Sequence, residues 1–172
     1  DYVVSVLEEY GFTDAFCVTG GAVSGIMDAL RDSRIKTVHN HHEQACAMAA
    51  EGYARAANRP ALVVVTNGPG VTNLVTGVAG AFQDSIPMLI LSGQVSTSQQ
   101  LSSVSVPLRQ LGVQELETQP LAESISVHFR RITSVSELPS ALENALAALE
   151  EGRLGPVWLE VPLDVQNSPI PE

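Results

Sequence analysis

The chain has 172 residues, of which 45% are hydrophobic and 16% charged, a composition that suits one globular domain with a sizeable core. Its formal net charge is -10, and its nine basic residues are spread thinly, which argues against a nucleic-acid-binding surface. No apolar run approaches the roughly 20 residues of a membrane span. The amino terminus shows no basic stretch followed by an apolar core, so no secretory signal is visible and a cytoplasmic location is expected.

The two cysteines, Cys17 and Cys46, each stand in an apolar setting and form no CxxC pair. Isolated cysteines in such surroundings are typical of buried structural thiols. We therefore expect both side chains to be buried, reduced and structural.

Helical and strand-like patterns alternate along the chain. Near the start, Val3, Val6, Leu7 and Tyr10 recur at helical spacing, and Gly11 is a helix stop. Six segments are predicted to be strands, and several of them are continuous apolar runs, which is typical of parallel strands covered on both faces. The predicted strands lie at residues 15–18, 35–38, 62–65, 88–91, 126–132 and 156–161.

This alternation predicts a doubly wound α/β fold, with a mainly parallel six-stranded sheet and helices on both faces. Residues 1–165 are expected to form this domain, and residues 166–172 to begin a linker to a further domain. The pattern breaks only between residues 94 and 118, where Ser and Gln are frequent. A loop of this length inside a compact domain is usually functional or disordered.

The clearest predicted helix runs from residue 43 to residue 57 and carries a stripe of mostly small residues. Such a stripe lets the helix lie close against a neighbouring element. The stripe consists of Ala45, Met48, Ala49, Gly52, Tyr53 and Ala56.

Ligands of open α/β sheets bind beyond the carboxyl ends of the strands. The junctions at residues 18–21, 39–43, 66–70 and 92–94 are therefore predicted to lie near one edge of the sheet, where a site should be found. Glu43 begins its helix at this edge. Taken alone, it is better interpreted as a first-turn glutamate that stabilises the helix dipole.

Two generic interpretations of this edge fail. The turn Gly68–Gly70 is not completed as GxGxxG, because Asn73 stands at the next diagnostic position, and no GK[ST] follows. The cluster of His39, His41 and His42 lacks the i, i+4 spacing of helical metal ligands, so we predict no metal site in this chain.

A series of seven motifs is more specific than any of its members. The motifs are FCVTGGA at 16–22, HEQA at 42–45, AEGYAR at 50–55, TNGPGVTN at 66–73, DSIP at 84–87, SGQ at 92–94, and GPV at 155–157 with VPLDV at 161–165. Together and in this order, they resemble the amino-terminal domain of thiamine-diphosphate enzymes related to acetolactate synthase, pyruvate oxidase and benzoylformate decarboxylase.

The resemblance implies a role for each matching residue. Glu43 matches the glutamate that hydrogen-bonds N1′ of the cofactor's aminopyrimidine and favours the tautomer that deprotonates C2 of the thiazolium ring. Gln114, with Glu115, resembles a Gln-Glu pair whose glutamine reaches toward the substrate. The positions that match the family's pyrimidine pocket are Val18, Thr19, Gly20, Thr66, Pro69 and Asn73.

The chain also departs from the acetolactate-synthase pattern on the active-site side. Val18–Gly21 replaces Tyr-Pro-Gly-Gly, and Gly112–Glu115 replaces Ala-Phe-Gln-Glu. The resemblance therefore implies decarboxylation and carboligation of 2-keto acids but leaves the donor and acceptor open.

The family binds diphosphate and Mg²⁺ through a Gly-Asp-Gly motif and a downstream Asn on a carboxy-terminal domain, and this chain has no such motif. We therefore expect a fragment of a longer enzyme, inactive on its own. The resemblance implies that this enzyme binds thiamine diphosphate and Mg²⁺, and it leaves FAD binding undetermined. The small-residue stripe and the shared sites of relatives predict a homodimer or a dimer of dimers. A non-catalytic cofactor-binding or regulatory relative is the alternative, and a Rossmann-type nucleotide binder is disfavoured by the incomplete glycine pattern.

Overall fold

A computed structural model of the chain describes residues 1–170. Its centre is a six-stranded sheet in which every neighbouring pair is parallel, in the order β2-β1-β3-β4-β6-β5. The predicted doubly wound α/β fold is confirmed. The strands are β1 Asp14–Cys17, β2 Lys36–His39, β3 Ala61–Val65, β4 Met88–Gln94, β5 His128–Arg131 and β6 Pro156–Pro162.

Each crossover between parallel strands places its helix on one face of the sheet. Here the crossovers use both faces, so helices cover the sheet on both sides. The buried residues of α1, α2 and α6 pack on one face, and those of α3, α4 and α5 pack on the other. The helices are α1 Tyr2–Tyr10, α2 Ser24–Arg31, α3 Glu43–Ala57, α4 Pro69–Gln83, α5 Gln119–Ser124, α6 Leu138–Ala148 and α7 Leu163–Gln166. None of the helices in residues 1–170 is long and apolar enough to cross a membrane.

Helix α3 has the predicted bounds, but its buried face is not the predicted stripe. Cys46, Ala47, Ala50 and Ala54 face the sheet and α4, and most of the predicted stripe is exposed, with Met48 at 49%. Alanines stand on both sides of this helix, so size alone did not distinguish its two faces.

The contact between α3 and α4 depends on small side chains. A Cβ atom at Gly77 of α4 would lie 2.6 Å from Cβ of Ala47, closer than real Cβ atoms approach other atoms. The two helices therefore pack with almost no side-chain layer between them. Their amino termini are held side by side at the carboxyl edge of the sheet.

The segment between β4 and α5 contains two 3₁₀ turns, Thr97–Gln99 and Leu101–Ser103, and otherwise no helix or strand, as predicted. The chain end differs from a free linker, because α7 folds back onto the domain. Its Gln166 Nε2 donates to the carbonyl oxygens of Ala22, at 2.7 Å, and Val161, at 2.8 Å. Of the expected linker 166–172, residues 171 and 172 lie outside the described residues.

Candidate active site

The carboxyl ends of the central strands meet at one edge of the sheet, as predicted. In the strand register, Cys17 lies opposite both His39 and Val64, and Val65 lies opposite Ser92. The chain leaves β1 toward α2 on one face and leaves β3 toward α4 on the other. Because the connections diverge between neighbouring strands, a crevice opens there, which is the usual ligand position in such folds.

Glu43 lies beside this crevice as the first residue of α3, and its side chain is buried at 8% exposure. The preceding His42 caps the helix, because its Nδ1 accepts the amide hydrogen of Gln44 at 3.1 Å. This cap satisfies one of the free amides of the first turn and fixes where the helix begins. The position of the Glu43 backbone thus follows from the end of β2 and from the cap.

The two oxygens of the Glu43 carboxyl group have different surroundings. Oε2 accepts a hydrogen bond from Nδ2 of Asn73, on the first turn and a half of α4, at 2.9 Å. Oε1 lies 3.7 Å from the position that a Cβ of Gly70 would occupy, and within residues 1–170 it accepts no hydrogen bond. Asn73 therefore orients the carboxyl group and leaves its other oxygen without a partner among the described residues and available to a ligand.

The loops after β1 and β3 approach each other so closely that side chains are excluded. A Cβ at Gly20 would lie 2.5 Å from Cβ of Thr66, and a Cβ at Gly70 would lie 3.0 Å from Cγ2 of the same threonine. Glycine at both positions leaves room for Thr66, which lies between Gly20 of the loop after β1 and Gly70 of its own turn. The structure thus brings together four of the predicted site residues: Gly20, Glu43, Thr66 and Asn73.

The other predicted pocket residues lie on the same loops with less contact. Val18 follows β1, packs on the core beneath α3 and α4, and is half-buried. Thr19 is exposed at the edge, and Pro69 is exposed as the first residue of α4. A proline suits this position because its missing N–H would have had no helical partner.

Gln114 reaches the site from the long loop, through its backbone. Its carbonyl oxygen lies 2.1 Å from the position that a Cβ of Gly68 would occupy, so the loop rests directly on the glycine turn. Gly68 has φ +54° and Gln114 has φ +56°, both in the left-handed region. The Gln114 side chain is exposed.

Two further residues hold the contact between the glycine turn and the loop, and the sequence did not predict this role for either of them. Asn67 is 4% exposed and joins the glycine turn to the loop, and Glu115 accepts three backbone amides of the loop. Asn67 stands inside a turn motif, where asparagine is common for local reasons, so its long-range contact had no signal in the sequence.

The far end of the loop is anchored by a buried ion pair. Glu160 of β6 is fully buried, pairs with Nε of Arg131 and accepts the hydroxyl hydrogen of Thr118. Burial raises the pKa of Glu160 above its ordinary range, and Arg131 and Thr118 offset only part of this rise. A glutamate inside the apolar strand Pro156–Pro162 was the sequence signal for a buried pair.

The cysteines and histidines give the edge no additional chemistry. Cys17 and Cys46 are unpaired and buried, as predicted, and burial raises their pKa values to about 12 and about 11. Both are therefore neutral thiols near pH 7. His39, His41 and His42 are exposed, and residues 1–170 contain no group of three His, Cys, Asp or Glu side chains able to hold a metal ion.

The fold and this edge define a ligand-binding domain of the doubly wound class, with its ligand crevice at the sheet's carboxyl edge. Residues 1–122 match the family described as thiamine pyrophosphate enzyme, N-terminal TPP binding domain. The chain belongs to this family, whose cofactor, thiamine pyrophosphate, is the same compound as thiamine diphosphate.

Relatives specify the branch of the family. Acetolactate synthase 2, chloroplastic, of Nicotiana tabacum is 39% identical over 97% of this chain and 24% of its own length. Acetolactate synthase, chloroplastic, of Arabidopsis thaliana is 38% identical over 97% of this chain and 24% of its own. The large subunit of acetolactate synthase isozyme 1 of Escherichia coli (strain K12) is 34% identical over 98% of this chain and 29% of its own length. The chain thus spans about a quarter of the length of these relatives and is the N-terminal TPP-binding domain of an acetolactate-synthase-like enzyme.

Proposed function

We propose that this domain binds the aminopyrimidine ring of thiamine diphosphate in an enzyme that decarboxylates and ligates 2-keto acids, and that Glu43 activates the cofactor. The observation that carries the proposal is the asymmetric carboxyl group of Glu43, a largely buried residue. One of its oxygens is held by Asn73, and the other accepts no hydrogen bond from residues 1–170. A protonated ring nitrogen is a suitable partner for that oxygen.

The residues of the crevice fit a flat heteroaromatic ring. The close approach of Gly20 to Thr66 offers bare backbone at the wall of the crevice, so a ring can lie close to it. Val18 supplies an apolar contact, while Thr66 offers a hydroxyl group and Thr19 and Pro69 line the rim. These residues would bind and orient the pyrimidine and keep water from the Glu43 carboxyl.

Glu43 would hold or move a proton at the pyrimidine N1′. When bound, thiamine diphosphate supplies the carbon nucleophile that attacks the keto carbon of a 2-keto acid. The task of the protein is to keep the Glu43 carboxyl in one orientation, which the Asn73 hydrogen bond does. Gln114, resting on the same glycine turn, would contact the keto acid.

The rest of the enzyme belongs to the same proposal. Mg²⁺ and the diphosphate would be held by another domain. FAD binding by a middle domain is left unassigned, and the location is proposed to be cytoplasmic. A homodimer would complete the site, and the exposed small stripe of α3 around Met48 and Gly52 supports a helix-to-helix contact. Sedimentation of the full-length enzyme should give a dimer or tetramer, and Met48→Glu should shift it toward the monomer.

The test of the activity is CO₂ release from pyruvate by the full-length enzyme with thiamine diphosphate and Mg²⁺. Glu43→Gln should lower the rate about 100-fold or more, since proton transfer by a positioned side chain contributes that much. Glu51→Gln, about two turns further along the same helix and paired with Arg55, is the matched control and should keep the rate.

Two results would contradict the proposal in different ways. An unchanged rate in Glu43→Gln would remove the residue from cofactor activation. A wild-type enzyme that binds thiamine diphosphate but releases no CO₂ from any of a panel of 2-keto acids would favour the non-catalytic relative.

A further inference from the structure

The backbone of Gln114 has an unusual conformation for its residue type. Its φ of +56° lies in the left-handed region, which few non-glycine residues adopt, and its side chain is exposed. Such a conformation persists only where the surroundings enforce it. The contacts on either side of Gln114 show what enforces it.

From the side of the crevice, Asn67 holds the peptide that precedes Gln114. Nδ2 of Asn67 donates to the carbonyl oxygen of Val113 at 2.9 Å, and Oδ1 accepts the hydroxyl hydrogen of Thr66 at 3.2 Å. Asn67 is 4% exposed, and both bonds are partly buried. One buried side chain thus links Thr66, in the proposed cofactor pocket, to the backbone beside Gln114.

From the side of the loop, Glu115 holds the residue that follows. Its Oε1 accepts the amide of Leu101 at 2.5 Å, and its Oε2 accepts the amides of Leu111 and Gly112, both at 3.2 Å. Hydrogen bonds to a carboxylate are stronger than those between neutral groups. Glu115 therefore closes the loop onto itself on the carboxyl side of Gln114.

We propose that Asn67 and Glu115 are positioning residues that clamp Gln114 from both sides and thereby set the affinity of the enzyme for its 2-keto acid. The clamp holds the backbone of Gln114 against the glycine turn after β3 and leaves the Gln114 side chain exposed. This inference rests on the proposed function, because it assigns to Gln114 a contact with the keto acid. It adds that this contact depends on two residues that need not touch the substrate.

The experiment uses the full-length enzyme loaded with thiamine diphosphate and Mg²⁺, with pyruvate as the keto acid. Glu115→Gln removes the charge and one acceptor oxygen, and Asn67→Asp keeps the acceptor for Thr66 but loses the donor to Val113. Each variant should raise the KM for pyruvate roughly ten-fold, since small displacements of positioned groups have effects of this size or larger. Each should leave proton exchange at C2 of the bound cofactor, measured without pyruvate, within about two-fold.

A double-mutant cycle with Gln114→Ala separates a positioning role from a general effect on folding. If the clamp acts through Gln114, then Glu115→Gln should change the KM little once Gln114 is alanine. Glu143→Gln, an exposed glutamate of α6 on the opposite face of the sheet, is the control and should leave the KM and the exchange rate unchanged.

The outcomes distinguish this inference from the function on which it rests. A wild-type enzyme that turns over pyruvate, with unchanged KM in Glu115→Gln and Asn67→Asp, would overturn the clamp alone. The clamp is also overturned if the KM effect is undiminished in the Gln114→Ala background, or if C2 exchange falls as much as the KM rises. A wild-type enzyme without cofactor-dependent turnover would contradict the proposed function first.

Discussion

The crevice at the strand ends and the long loop beside it are held in place by different forces. In the crevice, β1 and β3 fix the loops that follow them, and Gly20 and Gly70 close onto Thr66 by steric contact. The loop of residues 95–118 has no strand or α-helix to fix it and depends on carboxylates that accept its amides and hydroxyls. The crevice is thus determined by the sheet, and the loop by individual polar contacts.

The loop also differs from the crevice in its surface. Six of the nine exposed large hydrophobic side chains in residues 1–170 lie on it: Val104, Val106, Leu108, Leu111, Val113 and Leu116. Because polar contacts hold the loop, its exposed apolar side chains can be substituted without a change in the course of its backbone. Under the proposed function, this arrangement would let substrate preference vary while the cofactor pocket stays fixed.

The largest expected effect is at the buried anchor where the loop ends. Arg131→Met removes the counter-charge of the fully buried Glu160, which should lower the free energy of unfolding by about 3–5 kcal/mol. Arg130→Met, one residue earlier and paired with Glu137 on the surface, should cost about 0–1 kcal/mol. Thermal unfolding of the domain followed by circular dichroism would measure both.

The deficit of Arg131→Met should depend on pH in a defined direction. Because burial raises the folded pKa of Glu160, its protonated form is the one that folding favours. The deficit should therefore be smaller at pH 5 than at pH 8, since a protonated Glu160 needs no counter-ion. An equal deficit at both pH values would show that Glu160 stays charged in the folded variant.

The next effect concerns the point where the two regions meet. At Gly68, φ is +54° and a Cβ would lie 2.1 Å from the carbonyl oxygen of Gln114, so Gly68→Ala should destabilise the domain by about 1–3 kcal/mol. Gly80 lies inside α4, and a Cβ there would be 4.0 Å from its nearest neighbour, Oε2 of Glu51. Gly80→Ala should therefore be neutral or slightly stabilising. Equal unfolding temperatures for the two variants would mean that the loop does not rest on the turn in solution.

The smallest effect is at the start of the loop, where Asp164 accepts the amide and the hydroxyl of Thr97 at 3.0 and 2.6 Å. Burial raises the pKa of Asp164, but these hydrogen bonds lower it by more. The pKa of Asp164 therefore lies below its ordinary value. The stabilisation is then complete above about pH 3.9 and is lost as the pH falls through the lowered folded pKa. The unfolding temperature of Asp164→Asn should lie below that of the wild type at pH 7, and the gap should narrow as the pH falls below about 3.9. Asp28→Asn should show little gap over the same range.

The same contrast explains what could be predicted from the sequence. Continuous apolar runs such as residues 62–65 and 88–91 predicted the strands, and parallel strands place their carboxyl ends together, so the edge near Glu43 followed. The loop contacts could not be predicted, because Asn67 meets Val113 and Glu115 meets Leu101 only after folding, without a periodic signal. The buried face of α3 was also undetermined, since small residues occur on both sides of that helix.

The central claim, that Glu43 activates the cofactor, is tested most directly by proton exchange at C2 of bound thiamine diphosphate. The exchange is measured by NMR after acid quenching of the full-length enzyme in deuterated buffer, without keto acid. Glu43→Gln keeps the size of the side chain and should slow the exchange by a factor on the order of 100 or more, whereas Glu51→Gln should not change it. An exchange rate in Glu43→Gln equal to that of the wild type, with the cofactor bound, would contradict the claim.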